Sequence, residues 1–241
     1  MNIKILYEDD YLLAIDKPFG LVVNRAETQK NETLQDWLEN NSHVDINTDD
    51  ADFNSRSGVV HRLDKDTSGI LLVAKTSKAL KELQIEFKER TVKKEYTVLV
   101  YGIIKDLQIN ETIEINAPIA RNPVSRTKFA IVDTGRPSIT IVRLDKIIQS
   151  ENYPEGFSLV TCFPKTGRTH QIRVHLTAFG HPVVGDSLYS GKNRIRRDSK
   201  VFTRQFLHAS KIEFNHPITK ERISIKSDLS EDLKTVLDLI G

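Results

Sequence analysis

The chain has 241 residues, of which 39% are hydrophobic and 28% charged, and its formal net charge is +2. This composition is typical of a folded protein with a sizeable core and excludes a disordered chain. No apolar run approaches the roughly 18 residues of a membrane span, and no secretory segment follows Met1, so we expect a cytoplasmic protein that does not enter a membrane. The single cysteine, Cys162, excludes an internal disulfide and is predicted to be a small core residue.

Two strands and a capped helix are predicted near the N-terminus. Alternating apolar residues indicate strands at 3–7 and 11–15, followed by a turn at 17–20. Thr33 is predicted to cap the first helix, with Asp36 three residues later in the position that completes a capping box.

A buried strand follows a long polar stretch. Residues 40–57 are nearly free of apolar side chains and predict a mobile loop, whereas the apolar run 70–74 predicts the buried strand. A helix is predicted from a cap at Ser77 to about Glu89. The predicted buried stripe of that helix consists of Ala79, Leu80, Leu83 and Phe87.

The second half of the chain is dominated by alternating patterns. The predicted strands are 95–101, 112–117, 128–132, 138–144, 157–163, 206–214 and 221–226. Two helices are also predicted, at 169–179 and around 233–240. Many consecutive strands with few helices between them predict an α+β fold with a mostly antiparallel sheet. Since no repeat or linker is visible, residues 1–241 are predicted to form one domain.

Charged residues are clustered along the chain although the net charge is small. Basic residues concentrate at 88–94, 121–128 and 192–204, and acidic residues at 45–52. Each basic cluster is compatible with a phosphate-binding surface or with an ordinary solvated loop. For any one cluster taken alone, the sequence favours the solvated loop.

Asp64 is the first candidate for chemistry. It lies in the segment HRLDKDTSG, residues 61–69, directly before the buried strand. In an extended segment Arg62 and Asp64 would share a face, and a carboxylate beside a guanidinium stays ionised and can act as a nucleophile or base. On pattern alone, however, a salt-bridged turn aspartate is the better interpretation. Asp66 is the competing carboxylate and is expected to cap the turn or face solvent.

Arg173 is the second candidate. It lies in the predicted helix next to Ile172 and three residues from Leu176, so we expect its guanidinium to be partly desolvated. A charge in such a place requires a carboxylate partner from elsewhere in the chain. His170 and His175 are five residues apart, which does not place two metal ligands on one helix face, so they are interpreted as structural or RNA-facing.

Four segments resemble motifs of the RluA family of RNA pseudouridine synthases. Residues 61–69 resemble its HRLDxxTSG signature, and DKPFGLVV at 16–23 is similar to its KPxGL motif. KEYTVLVYG at 94–102 resembles its tyrosine motif. GRTHQIRVHL at 167–176, continuing through GHPVVGD at 180–186, resembles its GRTHQIRVH…GHPIxGD block. The four blocks occur in the family's order across most of the chain.

The resemblance implies a pseudouridine synthase catalytic fold, with a bent, mostly antiparallel mixed sheet and an active cleft. It implies that Asp64 is the catalytic carboxylate, attacking C1′ or otherwise labilising the uracil–ribose bond. Tyr96 would stack on the flipped uracil and is a candidate base for the C5 proton, although periodicity alone favours a core tyrosine. Arg173 would pair with Asp64, and Arg62 would assist target flipping. The remaining implied substrate-binding residues are His61, Arg168, Thr169, His170, Ile172 and Leu176.

The implied reaction also fixes the expected partners. Isomerisation of uridine neither releases a group nor oxidises one, so neither a cofactor nor a metal is expected, and the expected partner is structured RNA, ribosomal or transfer. A monomer is expected. Only nine residues precede Asp10, so no separate N-terminal RNA-binding domain is expected unless one was trimmed. A glycosidase-like hydrolase and a non-catalytic RNA-binding protein are the two alternatives, although no second acid accompanies Asp64 as glycosidases require.

Overall fold

The structure is a computed structural model that describes residues 1–26, 29–41 and 43–241. Within these residues the strands are β1 (Lys4–Glu8), β2 (Leu12–Lys17), β3 (Ser68–Ala74), β4 (Lys93–Tyr101), β5 (Thr112–Asn116), β6 (Ile119–Arg121), β7 (Phe129–Ile131), β8 (Ile139–Ser150), β9 (Tyr153–Pro164), β10 (Leu207–Asn215) and β11 (Arg222–Lys226). The helices are α1 (Leu34–Asn40), α2 (Ala51–Arg56), α3 (Ser77–Glu89), α4 (Gln171–Ala178), α5 (Lys192–Asp198) and α6 (Glu231–Ile240).

The chain divides into two compact units, and the first consists of residues 1–94 and 209–228. In this unit β2 pairs antiparallel with both β1 and β3, and β10 forms an antiparallel hairpin with β11. All seven residues of β3 are buried, as the continuous apolar run predicts for a strand covered on both faces. Helix α3 packs against β3.

The second unit consists of residues 95–208 and 229–241. Here β9 pairs antiparallel with β4 and β8, β8 pairs with β5, and β6 and β7 form a separate hairpin. Helix α4 packs against β7, β8 and β9. The predicted α+β class with mostly antiparallel pairing is therefore confirmed, whereas the prediction of one catalytic domain stays a prediction.

The interpretation of residues 40–57 as a mobile loop is wrong for its second half. Residues 51–56 form α2, whose N-cap Asp50 accepts a hydrogen bond from the backbone amide of Phe53 at 3.1 Å. Phe53 is fully buried, so one aromatic side chain is enough to anchor a six-residue helix that is otherwise polar. Ser42, in the first half of this stretch, lies outside the described residues.

Side-chain caps define the N-termini of α1 and α3. The predicted capping box of α1 is confirmed, because Thr33 accepts from the amide of Asp36, and the Asp36 carboxylate accepts from the amide of Thr33. The cap of α3 is Thr76 rather than the predicted Ser77, since the Thr76 hydroxyl accepts from the amide of Ala79 at 3.2 Å. Both residues are common helix caps, and sequence alone did not separate them.

Helix α5 is absent from the sequence prediction, and it changes the interpretation of the basic cluster at 192–204. Its last residue, Asp198, is buried and accepts a hydrogen bond from the hydroxyl of Tyr101 at 2.8 Å, which fixes the helix to the second unit. Arg204 is buried and forms an ion pair with Asp232 at 2.6 Å. It therefore does not belong to an exposed basic surface, unlike Lys192, Arg196 and Lys200.

Candidate active site

The loop that carries Asp64 is fixed by a buried ammonium group in the first unit. Lys17 is 0% exposed, and its Nζ donates hydrogen bonds to the backbone oxygens of Pro18, Leu21 and Lys65 at 2.8, 3.0 and 3.0 Å. The same oxygen of Lys65 accepts from the amide of Gly20 at 2.9 Å. Because Lys65 directly follows Asp64, the early turn determines the backbone position of the candidate catalytic carboxylate.

A backbone hydrogen bond closes the turn after Asp64. The amide of Thr67 donates to the Asp64 carbonyl at 3.1 Å, and Asp64 itself is half-buried. Gly69 has φ +106°, and a Cβ there would lie 2.3 Å from the carbonyl oxygen of Ala209. Only glycine combines this backbone conformation with so close an approach, which explains the last residue of the HRLDKDTSG segment.

His61 fixes the other end of the loop. Its Nε2 accepts a hydrogen bond from the amide of Leu72, in β3, at 3.0 Å, and its ring stacks on Phe87 of α3 with centroids 4.8 Å apart. Burial, and secondarily the charge of Lys94, lower the pKa of His61 to about 3. A neutral imidazole is the form that accepts this hydrogen bond. His61 thus has a structural role, and RNA contact by it stays a prediction.

Lys94, which begins the tyrosine motif, shares this environment. Its Nζ lies 5.7 Å from the centroid of the Phe87 ring, and burial lowers its pKa to about 8. Phe87 is half-buried between these two groups rather than fully buried in the predicted helix stripe.

We expect Lys17→Met to displace the Asp64 loop. The substitution leaves three carbonyl groups without their shared donor, which should lower the free energy of unfolding by about 3 kcal/mol. Urea unfolding measures this loss. The matched control is Lys65→Met, because the Lys65 side chain is exposed while its carbonyl is retained, and its effect should stay within about 0.5 kcal/mol. Equal effects of the two substitutions would contradict the anchoring role of Lys17.

Tyr96 lies on β4 of the second unit, in register with Cys162 of β9. It is half-buried, and it packs against a hydrophobic cluster that includes Val98, Val160 and Cys162. The ring therefore packs against the core, as periodicity predicts, and its stacking on a base stays a prediction.

Arg173 has the carboxylate partner that its burial requires. It is buried in α4, and its Nε and Nη2 donate to Oδ2 and Oδ1 of Asp186 at 2.7 and 3.0 Å. Asp186, which is 0% exposed, also accepts from the amides of Leu188 and Tyr189 at 2.9 and 3.1 Å. Asp186 was not predicted as this partner, although it closes the GHPVVGD segment. The pairing of Arg173 with Asp64, which lies in the other unit, stays a prediction.

Gln171 organises the loop before α4. Its side-chain oxygen accepts from the Thr166 hydroxyl at 2.6 Å and from the Arg168 amide at 3.0 Å, and its amide group donates to Thr140 and the Ile139 carbonyl, both at 3.0 Å. No sequence pattern indicates this role beyond the presence of a glutamine inside the motif. The network fixes the backbone that carries the predicted substrate-binding residues.

Those residues have different environments. The guanidinium of Arg168 donates to the Pro137 carbonyl at 3.3 Å, and Thr169 and Arg62 are exposed. Ile172 and Leu176 are buried in the hydrophobic cluster of the second unit. Packing therefore accounts for these two apolar residues, and their contact with RNA stays a prediction.

The two histidines around α4 differ. His175 is buried between the Thr140 hydroxyl at 2.9 Å and the Ala117 carbonyl at 3.1 Å, and burial lowers its pKa, so its role is structural. His170 precedes α4 with φ +55°, and its Nδ1 lies 2.9 Å from the hydroxyl of Tyr189.

Among the described residues, no group of three or more His, Cys, Asp or Glu side chains is placed to hold a metal ion, and no helix is long and apolar enough to cross a membrane.

The fold and these motif geometries together define a class. The profile of the RNA pseudouridylate synthase family matches residues 11–178, which is well over half of the chain. The chain therefore belongs to this family, and its class is that of an RNA-modifying isomerase. The resemblance to the RluA branch is confirmed.

Individual relatives agree with this assignment. The chain is 39% identical over 242 residues to ribosomal large subunit pseudouridine synthase D of Nitrosomonas europaea, covering 99% of this chain and 65% of that protein. Identity to the protein of the same name from Pseudomonas aeruginosa is 38%, covering 100% and 72%. The solved structure of human RNA pseudouridylate synthase domain containing 1 superimposes with a TM-score of 0.72 at 28% identity, covering 98% of this chain and 87% of that one. The chain thus spans about two thirds of the length of the bacterial relatives.

Proposed function

We propose that this protein isomerises specific uridines to pseudouridine in structured RNA. Large-subunit ribosomal RNA is the first candidate substrate, because two of the relatives are named for it. Transfer RNA is the second candidate. In this proposal Asp64 is the catalytic carboxylate, Tyr96 stacks on the flipped uracil, and Arg173 pairs with Asp64.

The chemistry requires few functional groups. The C1′–N1 bond breaks, a C1′–C5 bond forms, the C5 proton leaves and N1 regains a proton, so atoms and electrons balance without an oxidant. An ionised carboxylate at C1′ stabilises or traps the positive charge that develops there. The target base must first leave its stack, at a cost of a few kcal/mol that aromatic stacking and phosphate contacts offset.

The observation that carries the proposal is the fixation of the Asp64 loop. His61 Nε2 holds its beginning, the buried ammonium of Lys17 holds the Lys65 carbonyl, and Gly69 allows the close turn into β3. A solvated turn aspartate needs no such support on both sides. A rigid mounting is what a group must have to act at a defined carbon atom.

Tritium release tests the proposal. RNA labelled with tritium at uracil C5 is incubated with the protein, using large-subunit ribosomal RNA and transfer RNA in separate reactions. We expect release from at least one of them together with formation of pseudouridine. Mapping the modified sites in a deletion strain would then identify the uridine.

Each alternative gives a different result in the same assay. A glycosidase-like hydrolase would produce free uracil and no pseudouridine. A non-catalytic RNA-binding protein would retain RNA on a filter without releasing tritium. Either outcome would overturn the proposed isomerisation.

A further inference from the structure

Tyr189 connects three parts of the second unit. Its hydroxyl oxygen lies 2.9 Å from the backbone nitrogen of Phe129, in β7, and 2.9 Å from Nδ1 of His170. Its ring lies beneath the guanidinium of Arg173, with Cζ 5.0 Å from the ring centroid. Its own amide donates to Asp186 at 3.1 Å. One half-buried side chain thus contacts the β6–β7 hairpin, the residue before α4 and the buried ion pair.

The hydroxyl fixes the hairpin to the helix. The amide of Phe129 must be the donor, and a phenol oxygen can accept this hydrogen bond and share a second one with an imidazole. Phe129 also contacts the edge of the His170 ring, with centroids 5.6 Å apart. The left-handed backbone of His170 is an uncommon conformation for a residue with a side chain, and these contacts hold it.

The hairpin brings basic groups to the same place. The guanidinium of Arg121 lies 5.3 Å from the centroid of the Phe129 ring, and Nζ of Lys128 lies 6.0 Å from that of Tyr189. Arg121 and Lys128 are not paired with a carboxylate in the contacts described for them, and such cation–aromatic arrangements suit a phosphate chain that carries unstacked bases.

We propose that Tyr189 is a positioning residue for the RNA substrate. Its hydroxyl holds the β6–β7 hairpin so that Arg121 and Lys128 bind phosphates of the RNA strand, and its ring holds Arg173 in place. This inference rests on the proposed function. It assigns the hydroxyl to substrate binding and the ring to the chemical step.

Two substitutions separate these roles. Tyr189→Phe keeps the ring and removes the hydroxyl, so KM for RNA should rise on the order of fivefold with kcat nearly unchanged. Tyr189→Leu also removes the contact with Arg173, so kcat should fall as well, on the order of tenfold. A side chain with a merely structural role would not divide KM from kcat in this way.

A double substitution and a matched control complete the test. Lys128→Ala should weaken RNA binding less in the Tyr189→Phe background than in the wild type, because the hairpin is no longer held. The control is Tyr7→Phe, which removes the hydroxyl of another half-buried tyrosine: in the first unit this hydroxyl donates to Oδ2 of Asp9 at 2.7 Å. We expect wild-type KM for this control.

The outcomes are distinguishable. An active wild type with unchanged KM in Tyr189→Phe, or strictly additive effects of Tyr189→Phe and Lys128→Ala, would overturn this inference alone. A wild type that releases no tritium from any RNA would overturn the proposed function and this inference with it. Urea unfolding of each variant verifies that the kinetic constants refer to folded protein.

Discussion

Asp64→Asn is expected to reduce tritium release from C5-labelled RNA by at least about 10³-fold. The substitution keeps the size of the side chain and removes the charge that the proposed mechanism places beside C1′. The backbone of the loop should be retained, since Lys17, Gly20 and Thr67 donate hydrogen bonds to its backbone carbonyl groups, which the substitution leaves in place. RNA affinity, measured by filter binding, should therefore remain close to that of the wild type.

Asp66→Asn is the matched control. It makes the same chemical change two residues away on the same turn, at another half-buried carboxylate. We expect most of the activity to remain. Equal tritium release by Asp64→Asn and the wild type would remove Asp64 from the mechanism. A loss of release confined to Asp66→Asn would mean that Asp66, and not Asp64, is the catalytic carboxylate.

Features determined by neighbouring residues could be predicted from the sequence. The capping box of α1 joins residues three apart, and the buried strand before α3 follows from an apolar run, so local pattern was sufficient for both. The short helices α2 and α5 were missed for the opposite reason. Each has seven residues or fewer and a mostly polar sequence, and each is fixed by a buried side chain, Phe53 or Asp198, whose partners are distant in the chain.

The candidate site shows the same division. The motifs predicted catalytic roles for Asp64, Tyr96 and Arg173, and these stay predictions, whereas the burial of Arg173 required a carboxylate partner. They did not identify Asp186, which lies 13 residues from Arg173, or the contact of Lys17 with Lys65, which spans 48 residues. From the sequence, Lys17 was predicted only to lie in a turn. Its ammonium group could not be predicted as an anchor, because the three carbonyl groups around it come together only in the folded chain.

Arg173→Ala is expected to reduce activity more than the removal of any single exposed basic residue of the α5 region. The substitution leaves Asp186 as a buried charge without its bidentate partner, which typically costs about 3–5 kcal/mol of stability. The comparison variants are Lys192→Ala, Arg196→Ala and Lys200→Ala, each of which removes an exposed charge. Initial rates of tritium release provide the comparison, and they are measured at a temperature below the thermal unfolding midpoint of every variant.

Arg173→Lys separates catalysis from folding. Lysine keeps a positive charge beside Asp186 but lacks the planar fork that donates to both carboxylate oxygens, so the unit should fold while the geometry at the guanidinium is lost. We expect kcat to fall on the order of tenfold or more at little cost in RNA affinity. The α5 substitutions should instead raise KM and reduce the salt dependence of RNA binding, as losses of phosphate contacts do. If Arg173→Lys also acted only through KM and the salt dependence, Arg173 would be an ordinary phosphate contact, and its buried pairing with Asp186 would serve the fold alone.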